Sequence, residues 1–595
     1  MQYFCCRTAT PRAVQAFVFA FHPKRTTPDK GLFMAPIKIR RHIYVLLAFL
    51  SLIGVVETLL VRGFMLAEPL AMQAMIRRGY AIMIVLYLVW VAIGILGTGW
   101  KLRAFVPDML LSAMIIGNVF PLPVSGSIVS FRFALSLFIM FFRTTGISPF
   151  LHVIQLNPAR ILLLSFFGAI LFGMFLLMLP ASSTDHRGAD FIDALFTSTS
   201  AVCVTGLSVK DTGTFFTGFG QVVILILIQV GGLGIMTFST LYTILLGRRL
   251  GWKQEAHMRE ITESTNVLQM YGLIVAIVVS TLVFEFIGSA ILTLRFLPEM
   301  GMYQATRNAV FHCVSAFCNA GFSLFPNNFM NYAGDLTVNL TIMTLIIFGG
   351  LGFVVIYDLR KNIRGFNPLT IRWSRLAVHT RLVFITSAWL IIIGTLAILF
   401  FEFDNTLLRH GSAAKILAAA FQSVTSRTAG FNTIDISSCR EATLFVIILL
   451  MFIGASPAST GGGIKTTTLA VLTLAARAHL KSRSNVEVYE KSIPPETVYK
   501  AVAIFLFSSS FIIIFTILLL MTQKGGILQI IFEAVSAIGT VGLTAGMTSN
   551  LDSTGKLLIS ILMYIGRVGP LSIALAFGEP RKVTMEFPTT RILVG

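Results

Sequence analysis

Charge is scarce in this 595-residue chain. Only 12% of its residues are Asp, Glu, Lys or Arg, about half the share in an average globular protein. That shortage excludes a soluble multidomain enzyme and a disordered scaffold. Acidic residues are the scarcer sign, 26 against 46 Lys plus Arg, and there are only nine histidines. No HExxH, GxSxG or paired-Asp pattern occurs, so the groups of a hydrolase or metalloenzyme are missing. Six cysteines are present, Cys5, Cys6, Cys203, Cys313, Cys318 and Cys439. None forms a CxxC pair and no paired His accompanies them, which argues against a zinc site and a disulfide-stapled module. Cys203, Cys313 and Cys318 lie in apolar runs and read as small packing residues. The apolar runs are continuous and not alternating, so strands are not indicated. No run carries Arg at every third position, which excludes a voltage-sensing helix.

What fills the chain is apolar: 55% of residues, including 51 Phe, with a mean hydropathy of +0.83. The composition is that of an integral membrane protein. Four apolar segments come first, at 43–61, 79–99, 104–120 and 131–142, the last of them short. Longer spans follow at 161–180, 219–246, 270–294, 336–357, 382–401, 442–475, 498–521 and 556–577. Most reach the ~20 residues that a helical crossing needs.

The net charge of +20 sits in short loops, which is the positive-inside pattern and not a nucleic-acid surface. Loop 247–260 holds Arg248, Arg249, Lys253 and Arg259. Loop 358–381 holds Arg360, Lys361, Arg364, Arg372, Arg375 and Arg381, and loop 476–500 holds Arg477, Lys481, Arg483, Lys491 and Lys500. These three loops are therefore placed in the cytoplasm, and counting back through four spans puts the basic N-terminus there too. Arg62, Arg77 and Arg78 then fall outside, against the rule. Residues 1–41 show no clear signal-peptide cleavage site, and Met34, just ahead of a basic cluster, is a second candidate start.

Self-similarity is the strongest signal. Four segments read FTSTSAVCVTGL (196–207), FHCVSAFCNAGF (311–322), FQSVTSRTAGF (421–431) and FEAVSAIGTVGL (532–543). Their closing glycines, Gly206, Gly321, Gly430 and Gly542, are 115, 109 and 112 residues apart. A second echo follows in the next span: Gly231, Gly349, Gly454 and Gly566 lie 24 to 28 residues after those glycines. The unit is span, short segment ending in Gly, span. A helix of ~12 residues reaches only ~18 Å, so each segment is expected to enter the membrane halfway and return as extended chain. Such backbone is tolerated where it lines a water-filled path. Four such turns around one axis would present backbone carbonyls, which replace the hydration shell of K⁺, and glycine permits the dihedrals this requires. The negative ends of the short helices would favour a cation there, and Asp190 or Asp193 and Glu533 are expected near the positive ends of two of them. The GGLG stretches at 231–234 and 349–352 read instead as close-packing glycines. Glu285 and Glu402 receive no role.

The residues VTGL, NAGF, TAGF and TVGL, in four such units on one chain, resemble the Trk/Ktr/HKT superfamily of K⁺-translocating subunits, over about 420 of the 595 residues. The resemblance implies an all-α membrane fold of four span–pore loop–span units around a central pore. It implies filter carbonyls from Val204, Thr205 and Gly206; Asn319, Ala320 and Gly321; Thr428, Ala429 and Gly430; and Thr540, Val541 and Gly542. Plant relatives with Ser at the first filter glycine tend towards Na⁺, so four glycines point to K⁺ as the carried ion. Coupling to Na⁺ or H⁺ is left open. The expected organisation is a basic N-terminus (1–41), about four N-terminal transmembrane helices (42–157), repeats at 158–250, 265–360, 375–478 and 495–580, and a cytoplasmic tail (581–595). The common bacterial Trk form has only two spans before its repeats. The resemblance also implies a homodimer in the cytoplasmic membrane, docked on nucleotide-binding regulatory subunits (TrkA/KtrA-like).

The stretch 442–475 is 34 residues long, too long for one crossing, and Pro457 with Gly461, Gly462 and Gly463 interrupts it. Two half-helices with a loop beneath the filter are expected. A phosphate-binding loop is excluded, because Ile464 separates the glycines from Lys465 and no strand precedes them. In the resembled family the equivalent loop is a gate. Arg567, a charge inside the last span, either pairs with helix carbonyls as a structural element or, as the resemblance favours, hydrogen-bonds the 454–468 loop as a gate element and adds positive charge below the filter. Lys465 either does similar work or reaches for the cytoplasm. Within transport the alternative is the K⁺-binding subunit of a P-type K⁺ pump, which shares the fourfold plan. A membrane-embedded enzyme is the alternative from another class.

Overall fold

The computed structural model describes residues 81–89, 158–234, 267–362, 373–483 and 485–577. The chain divides into two compact units, one of Met1–Gln155 with Leu179–Gly188 and Leu241–Leu250, the other of the remainder. Of the first, residues 81–89 are helical and Pro180–Ser182 form a 3₁₀ turn. The expected spans 43–61, 104–120 and 131–142, the N-terminal 1–41, loop 247–260 and tail 581–595 lie outside the described residues.

In the second unit a helix, a short buried helix and a further helix follow one another four times. They are α1 (Pro158–Leu177), α2 (Phe191–Val202) and α3 (Gly218–Leu233). Next is α4 (Val267–Phe317), which turns at Gly301 (φ 73°, ψ 164°) so that its last arm serves as the short helix. It is followed by α5 (Leu336–Leu351) and α6 (Phe353–Asn362). The third set is α7 (Val378–Glu402), α8 (Ser412–Thr425), and α9 (Glu441–Phe452) with α10 (Thr466–Leu480). The last is α11 (Pro495–Thr522), α12 (Ile527–Gly539), and α13 (Ser553–Val568) with α14 (Pro570–Phe577). Among the described residues, Ala276–Phe317, Val378–Glu402 and Pro495–Thr522 are each long and apolar enough to cross a membrane.

Burial is arranged for a bilayer. Large apolar side chains such as Phe172, Phe286, Phe400 and Met521 are more than half exposed on the long helices. The short helices, rich in Ser and Thr, are buried, so their hydroxyls must find partners inside the protein. Ser198 Oγ donates to Ile170 O at 2.7 Å, and Ser423 Oγ to Ile391 O at 2.9 Å. The first helix of three of the sets makes room with a glycine: a Cβ on Gly173 or Gly394 would collide with Ser198 or Ser423, and one on Gly288 would meet Cys313 Sγ at 3.1 Å.

Pro457 and the Gly461–Gly463 triplet predict one broken span; among the described residues two more are broken, at Gly352 and Gly569, and α3 ends at a glycine of the same conformation. Gly234 (φ 79°, ψ 131°), Gly352 (φ 93°, ψ 141°) and Gly569 (φ 93°, ψ 131°) end α3, α5 and α13. That region of dihedral space is essentially closed to other residues. At Gly352 the chain bends by 94° into α6. Three residues earlier in each case, a Cβ on Gly231, Gly349 or Gly566 would run into the carbonyl of Val202, Phe317 or Ile538, in the last turn of the preceding short helix. This is the close packing expected for the GGLG stretches, extended to the last span. Gly231→Ala should therefore cost about 1–3 kcal/mol through overpacking, read as a melting temperature lowered by several degrees. An unchanged melting temperature would show that the contact is slack.

The expectation of no strands is corrected within loop 476–500. β1 (Val486–Val488) and β2 (Lys491–Ile493) form an antiparallel hairpin. Its turn residues Tyr489 and Glu490 hold φ of 46° and 62°, the paired positive dihedrals of a two-residue hairpin turn. Tyr-Glu is not a usual turn pair, so the sequence carried no signal. Arg381 stacks on Tyr489, 5.1 Å from the ring centroid, and so links two of the basic loops.

Candidate functional site

Each short helix ends in a residue at positive φ, followed two residues later by a glycine also at positive φ. The pairs are Val204 (58°) and Gly206 (94°), Asn319 (59°) and Gly321 (70°), Thr428 (150°) and Gly430 (79°), and Thr540 (48°) and Gly542 (91°). The turns are tied to the helices beneath them. Thr205 N donates to Ser200 O at 2.8 Å, Ala320 N to Ser315 O at 2.7 Å, and Val541 N to Ser536 O at 2.9 Å. Hydroxyls finish the turns: Gly206 N donates to Ser200 Oγ at 3.0 Å and Gly542 N to Ser536 Oγ at 3.1 Å. The third segment is one residue shorter than the others, and Ala429 N reaches Thr425 O at 2.9 Å instead. This shortening explains why Thr428 departs from the φ shared by Val204, Asn319 and Thr540.

The four turns close on one another in chain order. A Cβ on Gly206 would stand 3.0 Å from the Cα of Gly321, one on Gly321 3.0 Å from Gly430, one on Gly430 3.1 Å from Gly542, and one on Gly542 3.0 Å from Gly206. In each case the nearest atom is the carbonyl oxygen before the next glycine: Ala320, Ala429, Val541 and Thr205 in turn. Four glycines and four carbonyls thus share one ring. Above it lies a cavity of 310 Å³ lined by all four glycines together with Asp211 and Asp435. Burial raises the Asp435 carboxyl, but hydrogen bonds from Ser438 and Ser437 outweigh it and hold the group below its ordinary value. The negative ends of four short helices point towards the ring and two carboxylates stand over it, a surrounding that favours a cation.

On the other side of the ring lies the loop joining α9 to α10. Ile453 and Ile464 pair in parallel, with Gly454 N donating to Ile464 O at 2.9 Å. Gly461 packs on the Thr428 side chain and Gly462 on Thr540, and Gly462 N donates to Thr540 Oγ1 at 2.9 Å. Thr460 Oγ1 donates to Phe317 O at 3.2 Å. Gly463, at φ 70°, lets the strand pass Gly454. Arg567 donates to the carbonyls of Thr460 and Gly231. Lys465 Nζ stays in the loop, 2.7 Å from Gly461 O and 3.4 Å from Gly462 O, and does not reach for the cytoplasm. All five residues singled out for the loop, Gly461, Gly462, Gly463, Lys465 and Arg567, are therefore together beneath the ring.

Of the two acidic residues expected at helix starts, the one in α2 is there and the one in α12 is not. Asp193 is in the first turn of α2 but is engaged by Lys556 at 2.6 Å and Lys210 at 3.6 Å. Asp190 is the N-cap of α2 and makes no side-chain cap bond. Glu533 is not at a helix start. It is in the middle of α12, buried, and receives Thr544 and Thr548 hydroxyls from the loop beyond the ring. Glu402, at the end of α7, gathers Asn405, Thr406, Thr443 and the N–H of Arg440. Sequence reading passed over Arg427. Its guanidinium is buried next to Thr428 and reaches Ser387 Oγ at 3.2 Å. The signal was there, a charge inside the motif TSRTAGF.

Comparison with known proteins settles the family. The profile of the cation transport protein family TrkH matches residues 170–584. The Ktr system potassium uptake protein B of Bacillus subtilis is 40% identical over 444 residues, which are 74% of this chain and 98% of that protein. This chain belongs to the Trk/Ktr family of K⁺ transporters. The potassium/sodium uptake protein NtpJ of Enterococcus hirae is 34% identical, over 74% of this chain and 98% of its own. The crystal structure of the potassium transporter TrkH from Vibrio parahaemolyticus shares the fold, with a TM-score of 0.58, 17% identity, and coverage of 91% and 98%. A Trk/Ktr protein is a membrane transporter and not an enzyme. The named relatives are uptake and cation-transport proteins, which lends the pump-subunit alternative no support.

Proposed function

We propose that this chain is the K⁺-translocating subunit of an uptake system in the cytoplasmic membrane. Four pseudo-repeated units, at 158–250, 265–360, 375–478 and 495–580, surround one ion path. The observation that carries the reading is the ring in which each segment's glycine abuts the carbonyl of the next. Carbonyls of Val204, Thr205 and Gly206 and their counterparts replace the ion's water. Because the turns are hydrogen-bonded to buried helices, the ring is preorganised and does not have to form around the ion. The loop 453–465 lies across the path as the gate, with Arg567 and Lys465 holding it. The basic loops orient the gate end towards the cytoplasm. A homodimer with cytoplasmic nucleotide-binding regulatory subunits is the assembly this family reading suggests, and relatives named as parts of a Ktr system support more than one component.

Rubidium-tracer uptake into liposomes holding the purified protein tests the reading. Uptake should be suppressed by excess K⁺ and not by the same excess of Na⁺. Equal suppression by both would discard K⁺ selectivity, and suppression by neither would discard the ion path.

A further inference from the structure

Glu285 lies within the apolar crossing of α4, and nothing in the ring or the gate uses it. Its side chain is 7% exposed. Gln229 of α3 donates Nε2 to its Oε2 over a long 3.4 Å, and Oε1 is buried with no hydrogen-bond partner. Among the described residues no lysine, arginine or histidine is within ion-pair distance of it. The titratable groups on which its charge acts are the thiols of Cys313 and Cys318 on the last arm of α4. From α3 comes only the neutral Gln229 amide, and the α5 side chains packed on this stretch of α4 include the apolar Leu345, at Gly288, and Phe348, stacked on Phe284. Arg567 of α13 acts on Cys318 and makes no ion pair with Glu285.

Two further facts give this carboxyl a route outward and a route inward. It lines a groove of 530 Å³ with Leu282, Val283, Phe286, Ile287 and Val310, and Phe286 is 76% exposed on the bilayer-facing surface. Inward, the Gln229 amide that touches Glu285 also accepts from Cys318 Sγ at 3.5 Å. Cys318 is the residue before Asn319, where the second ring turn begins.

An ionised carboxylate without a cation is costly in apolar surroundings and neutralises by taking up a proton. An ionisable group at this depth marks a functional site. We propose that Glu285 is a proton-binding site in the membrane interior, reached from the lipid face, whose charge state is relayed through Gln229 and Cys318 to the second ring turn. Ionisation strengthens the hydrogen bond from Gln229 and draws the amide away from Cys318. The turn at Asn319 is best supported when Glu285 is protonated, so ion uptake is faster in acid. The relay rests on the reading of the ring as a filter; the proton site does not.

A hydrophobic carbodiimide tests the site chemically in proteoliposomes of the full chain. The protonated carboxyl gives its proton to one carbodiimide nitrogen while its oxygen adds to the central carbon. The O-acylisourea then rearranges to an N-acylurea; nothing leaves, so the peptide gains the whole reagent mass. With dicyclohexylcarbodiimide the adduct should map to Glu285 in preference to the water-exposed Glu441. A water-soluble carbodiimide should reverse that preference. Labelling of Glu285, taken relative to Glu441, should fall from mildly acid to mildly alkaline medium. No adduct at Glu285, or one independent of pH, overturns the site. For the relay, wild-type rubidium uptake should fall severalfold over the same pH change, while Glu285→Gln and Gln229→Leu give flat profiles. An unchanged profile in both variants overturns the relay. Absence of uptake in every protein counts against the transport reading, and the mass adduct still decides the proton site.

Discussion

Replacing Gly542 by aspartate is expected to lower rubidium-tracer uptake by about 100-fold or more, a loss worth ~2.7 kcal/mol or more on the limiting step. Three effects act together. The residue would sit at φ 91°, where a side chain costs ~1–2 kcal/mol. Its Cβ would overlap the carbonyl oxygen of Thr205 and approach the Cα of Gly206 at 3.0 Å, so the first segment must move as well as the fourth. The carboxylate would also stand at the ring and trap the ion it should pass. The ring is cyclic, so substitutions at Gly206, Gly321 and Gly430 should each disturb two segments in the same way. The test compares initial rates at equal amounts of monodisperse protein. If Gly542→Asp protein of normal elution profile carried rubidium at the wild-type rate, the four glycines would be packing residues and the filter reading would fail.

Removing the guanidinium of Arg567 should act in the opposite direction. Arg567 ties Thr460 of the loop to Gly231 of α3 through two carbonyls. Hydrogen bonds to a charged group are worth about 1.5–3 kcal/mol each. The other fastenings are neutral bonds: Gly462 to Thr540, Thr460 to Phe317 and Gly349, Ser456 to Gly350, and Phe353 to Ala458. Arg567→Gln should therefore shift the closed–open balance and raise uptake by the protein alone about tenfold, a change of ~1.4 kcal/mol. Lys465→Gln, which removes a cation bonded only within the loop, should raise it less. Adding Gly542→Asp to the Arg567→Gln protein should abolish the gain, because the ring lies in series with the loop. Uptake unchanged by Arg567→Gln and by Lys465→Gln would show that the loop does not limit flux.

Much of this architecture was legible in the chain. The period of the VTGL, NAGF, TAGF and TVGL endings placed all four ring glycines, since only glycine satisfies a recurrent positive φ with a backbone neighbour in contact. Gly461–Gly463 and Pro457 announced the break before α10, and Arg567 stood out because a charge inside a span needs partners. Other features left no such trace. The breaks at Gly352 and Gly569 and the helix end at Gly234 look like ordinary packing glycines until the dihedrals are known. Lys465 could turn to water or into the loop with equal ease on sequence grounds. The helix position of Glu533 and its partners in 544–548 depend on how the loop after the ring folds back.

From the amino acids alone could be read the membrane class, the fourfold unit and the residues whose chemistry demands special backbone. These follow from local physics: hydropathy, charge per loop, and the steric freedom of glycine. Which atoms meet was settled only by folding. That Gly206 abuts Ala320, that Gly542 returns to Thr205, and that Arg567 joins residues 107 and 336 positions away are contacts between distant parts of the chain. Their energies depend on distance and direction in space, and no spacing along the sequence encodes them.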